Sequence, residues 1–227
     1  MTRLVLVRHG ETLWHGENRY AGSSDVELTE HGLRQAQQLA GWAKAAGLSA
    51  IWCSPLRRAR WTAEACASVT GLEPQVDERL RELDFGYAEG LTTAEMRQRF
   101  PDELAAFQAN PITHHLPGGE QPTTALARFL ACLDDIVVLH PEGRVLVVAH
   151  TTAIRLALCS LIGVPLSEYR RLFPAVRNCG ITEIRRNPAG GEATALLEFN
   201  TPLEPEVARA RPDMSRSPSP TQRRNRP

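Results

Sequence analysis

Two histidines stand where strand-like apolar runs end. The first follows Leu4-Val5-Leu6-Val7, in Arg8-His9-Gly10-Glu11-Thr12. The second follows Val145-Leu146-Val147-Val148-Ala149, in His150-Thr151. In open α/β sheets, ligands bind beyond the carboxyl ends of strands, so two imidazoles and the Arg8 guanidinium could meet at one spot. One such histidine alone reads as a local cap; two, on the strongest strand signals in the chain, favour a site. A third element, Ser54-Pro55-Leu56-Arg57-Arg58-Ala59-Arg60, opens a helix just past another apolar run. A helix N-terminus and arginine forks together suit an anion. Neighbours on a helix diverge by about 100°, so one arginine is expected to face inward and the others to be solvated or paired with acids. Taken alone, a solvated basic helix start explains this segment equally well. The fourth element, Leu80 to Gly90, carries Glu82, Asp84 and Glu89. A carboxylate there is more often surface than catalytic, but beside an anion pocket it could act as a general acid.

These residues need elements to hold them. The runs 4–7, 50–53 and 145–149 are continuously apolar, the pattern of strands covered on both faces. Thr29 is a good N-cap, and Leu33, Ala36, Leu39, Ala40 and Ala43 follow at helical spacing up to Gly47. Further helices are predicted from about Leu56 to Val69, over 92–109 as two pieces split by Pro101, from Thr123 to Leu139, and from about Thr152. Strands are predicted over 180–185 and 194–199. Strand–helix alternation of this kind predicts an α/β fold, a three-layer sandwich with a mostly parallel central sheet. The folded domain is expected to span 1–200. Residues 202–227 hold six Pro, six Arg and three acids, with almost nothing apolar. A disordered tail over 201–227 is therefore expected.

The stretch Leu6-Val-Arg-His-Gly-Glu-Thr-Leu-Trp14 resembles the signature of the histidine phosphatase superfamily, the phosphoglycerate-mutase-like proteins. The resemblance continues through Arg19, Gly22, Asp25, Leu28-Thr29 and Gly32. It resumes at Ser54-Pro55-Leu56, Arg58-Ala59 and Thr62-Ala63, then at Leu80-Arg81-Glu82, Phe85-Gly86 and Glu89-Gly90. Pro117-Gly118-Gly119-Glu120, Val147 to His150 and Ile154-Arg155 complete it. Several motifs in the family's order are far more specific than one Arg-His-Gly triplet.

The resemblance implies a metal-independent phosphatase acting on a small phosphorylated metabolite through a phosphohistidine, with no cofactor. His9 would be the nucleophile. Arg8, Arg58 and His150 would hold the phosphate oxygens. Glu82 would protonate the leaving oxygen and then help activate water. A transferring phosphoryl group spreads negative charge over its equatorial oxygens, so positioned guanidinium and imidazole groups suit it. Two positions depart from the family pattern. His15 stands where Asn usually contacts phosphate; it could donate one hydrogen bond or, when protonated, add charge. Thr151 stands where Gly is usual, and its side chain could narrow the pocket. Asn18 could replace the missing Asn. Substrate specificity is expected from residues 14–24 and 83–117, with Trp14, Gly22 and Ser23 in the pocket.

Composition narrows the field. Lys+Arg and Asp+Glu are both 26 in 227 residues, so the formal net charge is zero, which argues against nucleic acid as a main partner. Residues 1–207 hold 20 basic and 25 acidic groups; from Ala208 on there are six Arg and one Asp. The neutral total is thus an acidic domain balanced by a basic tail. No apolar run reaches the ~18 residues of a membrane span. Five Cys in an odd, scattered set, with no signal-peptide pattern, predict a reduced cytoplasmic setting. His114-His115 has no carboxylate cluster beside it, so no metal site is expected. Two other readings are open: a cofactor-dependent phosphoglycerate mutase, and a catalytically inactive binding member of the fold. Oligomeric state is not readable from the chain.

Overall fold

The computed structural model describes residues 1–187 and 194–203. The chain runs β1 (Thr2–Arg8), α1 (Glu30–Ala43), β2 (Ala50–Cys53), α2 (Arg57–Thr70), β3 (Pro74–Val76), α3 (Thr93–Arg99) and α4 (Pro101–Ala109). It continues through α5 (Pro122–Leu139), β4 (Arg144–Ala149), α6 (Thr151–Leu161), α7 (Tyr169–Leu172), β5 (Ile181–Arg186) and β6 (Ala195–Thr201). The six strands form one sheet in the order β3-β2-β4-β1-β5-β6. The pairings β3–β2, β2–β4 and β4–β1 are parallel; β5 and β6 join antiparallel.

The continuously apolar runs lie inside because both their faces are covered. On one face Leu4, Leu6, Val145 and Val147 pack against Phe129, Leu133 and Ile136 of α5 and Ile154 of α6. On the other, Val5, Val7, Ile51 and Val148 meet Leu39 and Ala40 of α1 and Ala59 and Ala63 of α2. This is the three-layer sandwich that the alternation predicts. A third cluster, built on Phe85, Met96, Leu104, Phe107 and Leu116, lies in the 83–125 segment that carries α3 and α4.

β3 has no counterpart among the predicted strands. It is three residues long, starts at Pro74 and lies at the sheet edge, too short to carry a period. Thr29 caps α1 as expected, its side chain accepting from the Gly32 N–H. The α1 start also sets the turn after β1. A Cβ on Gly32 would lie 2.0 Å from the Glu11 carbonyl oxygen, and one on Gly10 would lie 2.5 Å from the Gly32 carbonyl oxygen. Only glycine at both positions lets the His9 turn approach the helix so closely.

All five cysteines are free and buried. No helix among the described residues is long and apolar enough to cross a membrane. The tail expected over 201–227 falls almost wholly on residues 204–227, outside the described residues.

Candidate active site

Parallel pairing of β1 with β4 puts Arg8 opposite Ala149, so the two strands end at the same level. The His9 N–H donates to the Ala149 carbonyl at 3.1 Å, and the His9 and His150 ring centroids are 5.1 Å apart. Strand order thus converts two histidines 141 positions apart in sequence into a contacting pair.

Hydrogen bonds choose the tautomers. His9 Nδ1–H donates to its neighbour's carbonyl, Gly10 O, at 2.7 Å, which leaves Nε2 as the nitrogen with a lone pair. Burial, then the Arg58, His150 and Arg8 charges, hold the His9 pKa well below the usual imidazole value. His150 Nδ1 accepts from Arg58 Nε at 3.3 Å, so His150 Nε2 carries its hydrogen. Nε2 of His150 is buried without a partner, and so is Nε of Arg8. Buried donors are rarely left unmade, and two beside His9 are what an oxyanion would satisfy. Burial likewise lowers His150 well below the ordinary value, and Arg8 to about 10.

Arg58 is the inward-facing arginine of its triplet. It is 0% exposed, while Arg57 pairs with Asp25 and Glu27, and Arg60 with Glu64. Its N–H groups reach the Ser24 and Gly22 carbonyls, both at 2.6 Å, and His150. Arg58 orients the His150 ring and adds positive charge beside it; neither Arg58 nor His150 is among the residues that line the cavity.

Gly22 and Ser23 were expected in the substrate pocket, but neither lines the cavity. The N–H groups of Gly22, Ser23, Ser24 and Phe85 all donate to the Glu89 carboxylate at 3.0–3.1 Å. This draws the loop inward, where its carbonyls hold Arg58. A Cβ on Gly22 would lie 2.2 Å from Glu89 Oε1.

Glu82 comes from the 80–90 segment and meets the start of α6. Its carboxylate accepts from Thr152 N–H at 2.9 Å, Ala153 N–H at 3.0 Å and Leu83 N–H at 2.9 Å. The helix N-terminus fixes the carboxyl in the cavity wall. The strongly apolar α6 begins at Thr151, so one strand end supplies both His150 and the amides that hold Glu82.

His15 does not present a free donor to the cavity. Its Nδ1 lies 2.7 Å from Thr12 Oγ1 and its Nε2 is 2.5 Å from Arg8 Nη2. The Thr12 N–H donates to Nδ1 at 3.0 Å, and Arg8, which can only donate, faces Nε2. Burial and the Arg8 charge lower His15 to about 4, so near neutral pH it adds no charge. Its position orients Arg8, which also donates to the Val176 carbonyl at 2.9 Å.

The sites meet in a cavity of about 430 Å³. Arg8, His9, His15, Glu82, Trp14, Asn18 and Thr151 all line it, so Thr151 contributes to the pocket surface. Sequence reasoning missed a further part of the wall, made by Arg155, Tyr169 and Arg170, with Tyr20. Arg155 was within reach of a helical-face argument, since it lies four residues after Thr151. Arg170 has no local signal. Among the described residues, no group of three or more His, Cys, Asp or Glu side chains could hold a metal ion.

The buried imidazoles make acid lability predictable. An unfolded histidine takes up its proton near pH 6.5, whereas these three stay neutral far lower, so the unfolded state binds more protons below that pH. Stability is then present above about pH 6.5 and falls as pH drops below it. Thermal unfolding between pH 8 and 5 checks this. His15→Asn should flatten the slope, and coincident slopes would remove His15 from the set.

The fold and this geometry define a class, an α/β protein whose sheet end is shaped for a small oxyanion. Comparison with known proteins gives the family. The model of the histidine phosphatase superfamily (branch 1) matches residues 4–198. Phosphoserine phosphatase 1 of Hydrogenobacter thermophilus is 33% identical over 169 residues, covering 74% of this chain and 80% of that protein. A protein of Cronobacter sakazakii named probable phosphoglycerate mutase GpmB is 37% identical over 187 residues, covering 81% and 85%. The solved structure of a mycobacterial glucosyl-3-phosphoglycerate phosphatase superposes with a TM-score of 0.80 at 30% identity, covering 88% of this chain and 99% of that one. The chain belongs to the histidine phosphatase superfamily, branch 1.

Proposed function

We propose that the protein is a phosphomonoester hydrolase that works through a phosphohistidine on His9. The observation that carries this is the Nδ1–H to Gly10 O bond, which leaves Nε2 of a cavity-lining imidazole unprotonated beside two unpartnered donors, His150 Nε2–H and Arg8 Nε–H. His9 Nε2 forms a bond to phosphorus as the ester P–O bond breaks, and Glu82 delivers a proton to the leaving oxygen. Arg8 and His150 hold the equatorial oxygens, and Arg58 supports them with charge. Water then attacks the phosphohistidine, Glu82 accepts a proton, and inorganic phosphate leaves. Dividing the displacement in two lowers each barrier. Asn18 and Thr151 border the same phosphoryl group, and Trp14 the leaving group.

The phosphatases among the relatives support hydrolysis; a relative named as a mutase makes the mutase outcome worth measuring. A panel of phosphorylated small metabolites, assayed without a bisphosphate primer, should release inorganic phosphate. Isomerised product with no phosphate released, and only after a bisphosphate is added, would replace this reading with the mutase. No phosphate and no isomer from any member would leave a binding protein. A water-soluble substrate in a cytoplasmic setting belongs to the same reading.

A further inference from the structure

β1 ends at Arg8, and there the backbone partners supplied by neighbouring strands give out. The Arg8 carbonyl still accepts from the Cys179 N–H at 2.8 Å, and the His9 N–H donates to the Ala149 carbonyl at 3.1 Å. Past these, three side chains take over, each from a different element. Asn178, in the segment before β5, donates through Nδ2 to the His9 carbonyl at 2.7 Å. Thr62 Oγ1, on α2, accepts from the Gly10 N–H at 3.1 Å. Gln35 Oε1, on α1, accepts from the Glu11 N–H at 2.8 Å. The His9 carbonyl and the Gly10 N–H belong to one planar peptide group, so Asn178 and Thr62 hold that group at both ends. In the next peptide group the N–H of Glu11 is held by Gln35, and the carbonyl of Gly10 is the acceptor of His9 Nδ1–H at 2.7 Å. Thr62 uses its hydroxyl hydrogen on the Arg58 carbonyl at 2.7 Å, which turns its lone pairs toward Gly10.

Gly10 is where such holding is needed. The nearness of Gly32 excludes a Cβ there, and glycine gives the backbone its widest choice of φ and ψ. A rotated Gly10–Glu11 peptide would carry its carbonyl away from His9 Nδ1. The imidazole proton would then be free to sit on Nε2, and the lone pair there would be lost. We propose that Thr62, Asn178 and Gln35 are positioning residues for phosphoryl transfer: they lock the two peptide groups flanking Gly10, and so keep the His9 proton on Nδ1 and its lone pair on Nε2. Their role rests on the reading of His9 as the nucleophile and extends it to three side chains that do not line the cavity. They act through backbone groups and do not touch the substrate.

Nitrogen-15 NMR of the full chain reads the tautomer directly, because protonated and bare imidazole nitrogens resonate far apart. The signals lost in His9→Ala assign His9. The wild type, near pH 8, should show Nδ1 protonated and Nε2 bare. T62V keeps the shape of the side chain and removes the acceptor, so it should move His9 toward the Nε2–H form. It should also lower kcat/KM for p-nitrophenyl phosphate by about 10- to 100-fold, while inhibition by inorganic phosphate changes less than about 3-fold. T62S returns the hydroxyl and should bring both the tautomer and kcat/KM back to within about 3-fold of the wild type. N178A releases the other end of the same peptide group and should shift the tautomer the same way. Asn178 is only half-buried, so N178A decides the matter if melting shows that T62V does not fold. A His9 tautomer unchanged in every folded variant overturns the role, whatever turnover does, and so does a T62S protein as impaired as T62V. A wild type that releases no phosphate from p-nitrophenyl phosphate would instead overturn the phosphatase reading, while the NMR comparison still decides whether these side chains set the His9 tautomer.

Discussion

His9→Ala is expected to lose at least about 10⁴-fold in turnover, because it removes the atom that bonds to phosphorus rather than one that stabilises charge. The remaining groups, Arg8, His150 and Arg58, still attract a phosphate, so substrate affinity should change far less than turnover. Chemistry offers a second readout. A phosphorus–nitrogen bond is acid-labile and base-stable, so rapid quenching with base of the wild type and labelled substrate should retain label on the protein. The His9→Ala protein should retain none. The two His rings must be distinguished, because they touch. His150 Nδ1 already accepts from Arg58, and its Nε2 carries the hydrogen; it is a donor in this arrangement. His150→Ala should therefore still form some phosphoenzyme, more slowly. Undiminished turnover in His9→Ala would sink the nucleophile assignment. Label persisting in that variant would move the nucleophile to another residue.

Glu82→Gln should show its effect through the leaving group. Where the departing alcohol is a poor leaving group, such as a sugar hydroxyl, proton delivery is worth about 10²–10⁴-fold. A nitrophenolate departs without help, so p-nitrophenyl phosphate turnover should fall far less. Glutamine preserves the size of the side chain. It replaces one acceptor oxygen by an NH2, however, so one of the amide contacts from Thr152, Ala153 and Leu83 is lost. That structural cost acts on every substrate alike. The ratio between substrates is therefore the informative quantity, and equal losses on both would reduce Glu82 to a residue that holds the start of α6. The same comparison separates hydrolysis by this chain from a binding-only role, which predicts no turnover in any variant.

Much of this site can be read along the chain because its parts are local. Apolar runs without alternation identify β1, β2 and β4 as inner strands, and each ends at a chemical residue or at the start of a helix that carries one. The 100° turn per helical residue predicts that only one of Arg57, Arg58 and Arg60 can face inward, and Arg58 does. The 80–90 segment offers three acids with nothing local to rank them. Glu82 and Glu89 are separated by what they meet: the amides of α6 for one, the amides of the 22–24 loop and Phe85 for the other. From the sequence His15 can donate one hydrogen bond or add charge when protonated, and burial against Arg8 makes it neutral.

Chain order and residue type thus establish the inner strands, the helix starts and the family of motifs, since each depends on a period of two or 3.6 residues or on a short run. They do not carry the adjacency of β1 and β4, the edge strand β3, the turning of Gly22 and Ser23 away from the cavity, or the wall made by Arg155 and Arg170. Those depend on contacts between segments far apart in sequence. The Arg58 guanidinium takes its direction from the Gly22 and Ser24 carbonyls and His150, partners distant from it in sequence. Burial and hydrogen-bond completion are properties of the packed whole, and they set which of the charged residues face the ligand.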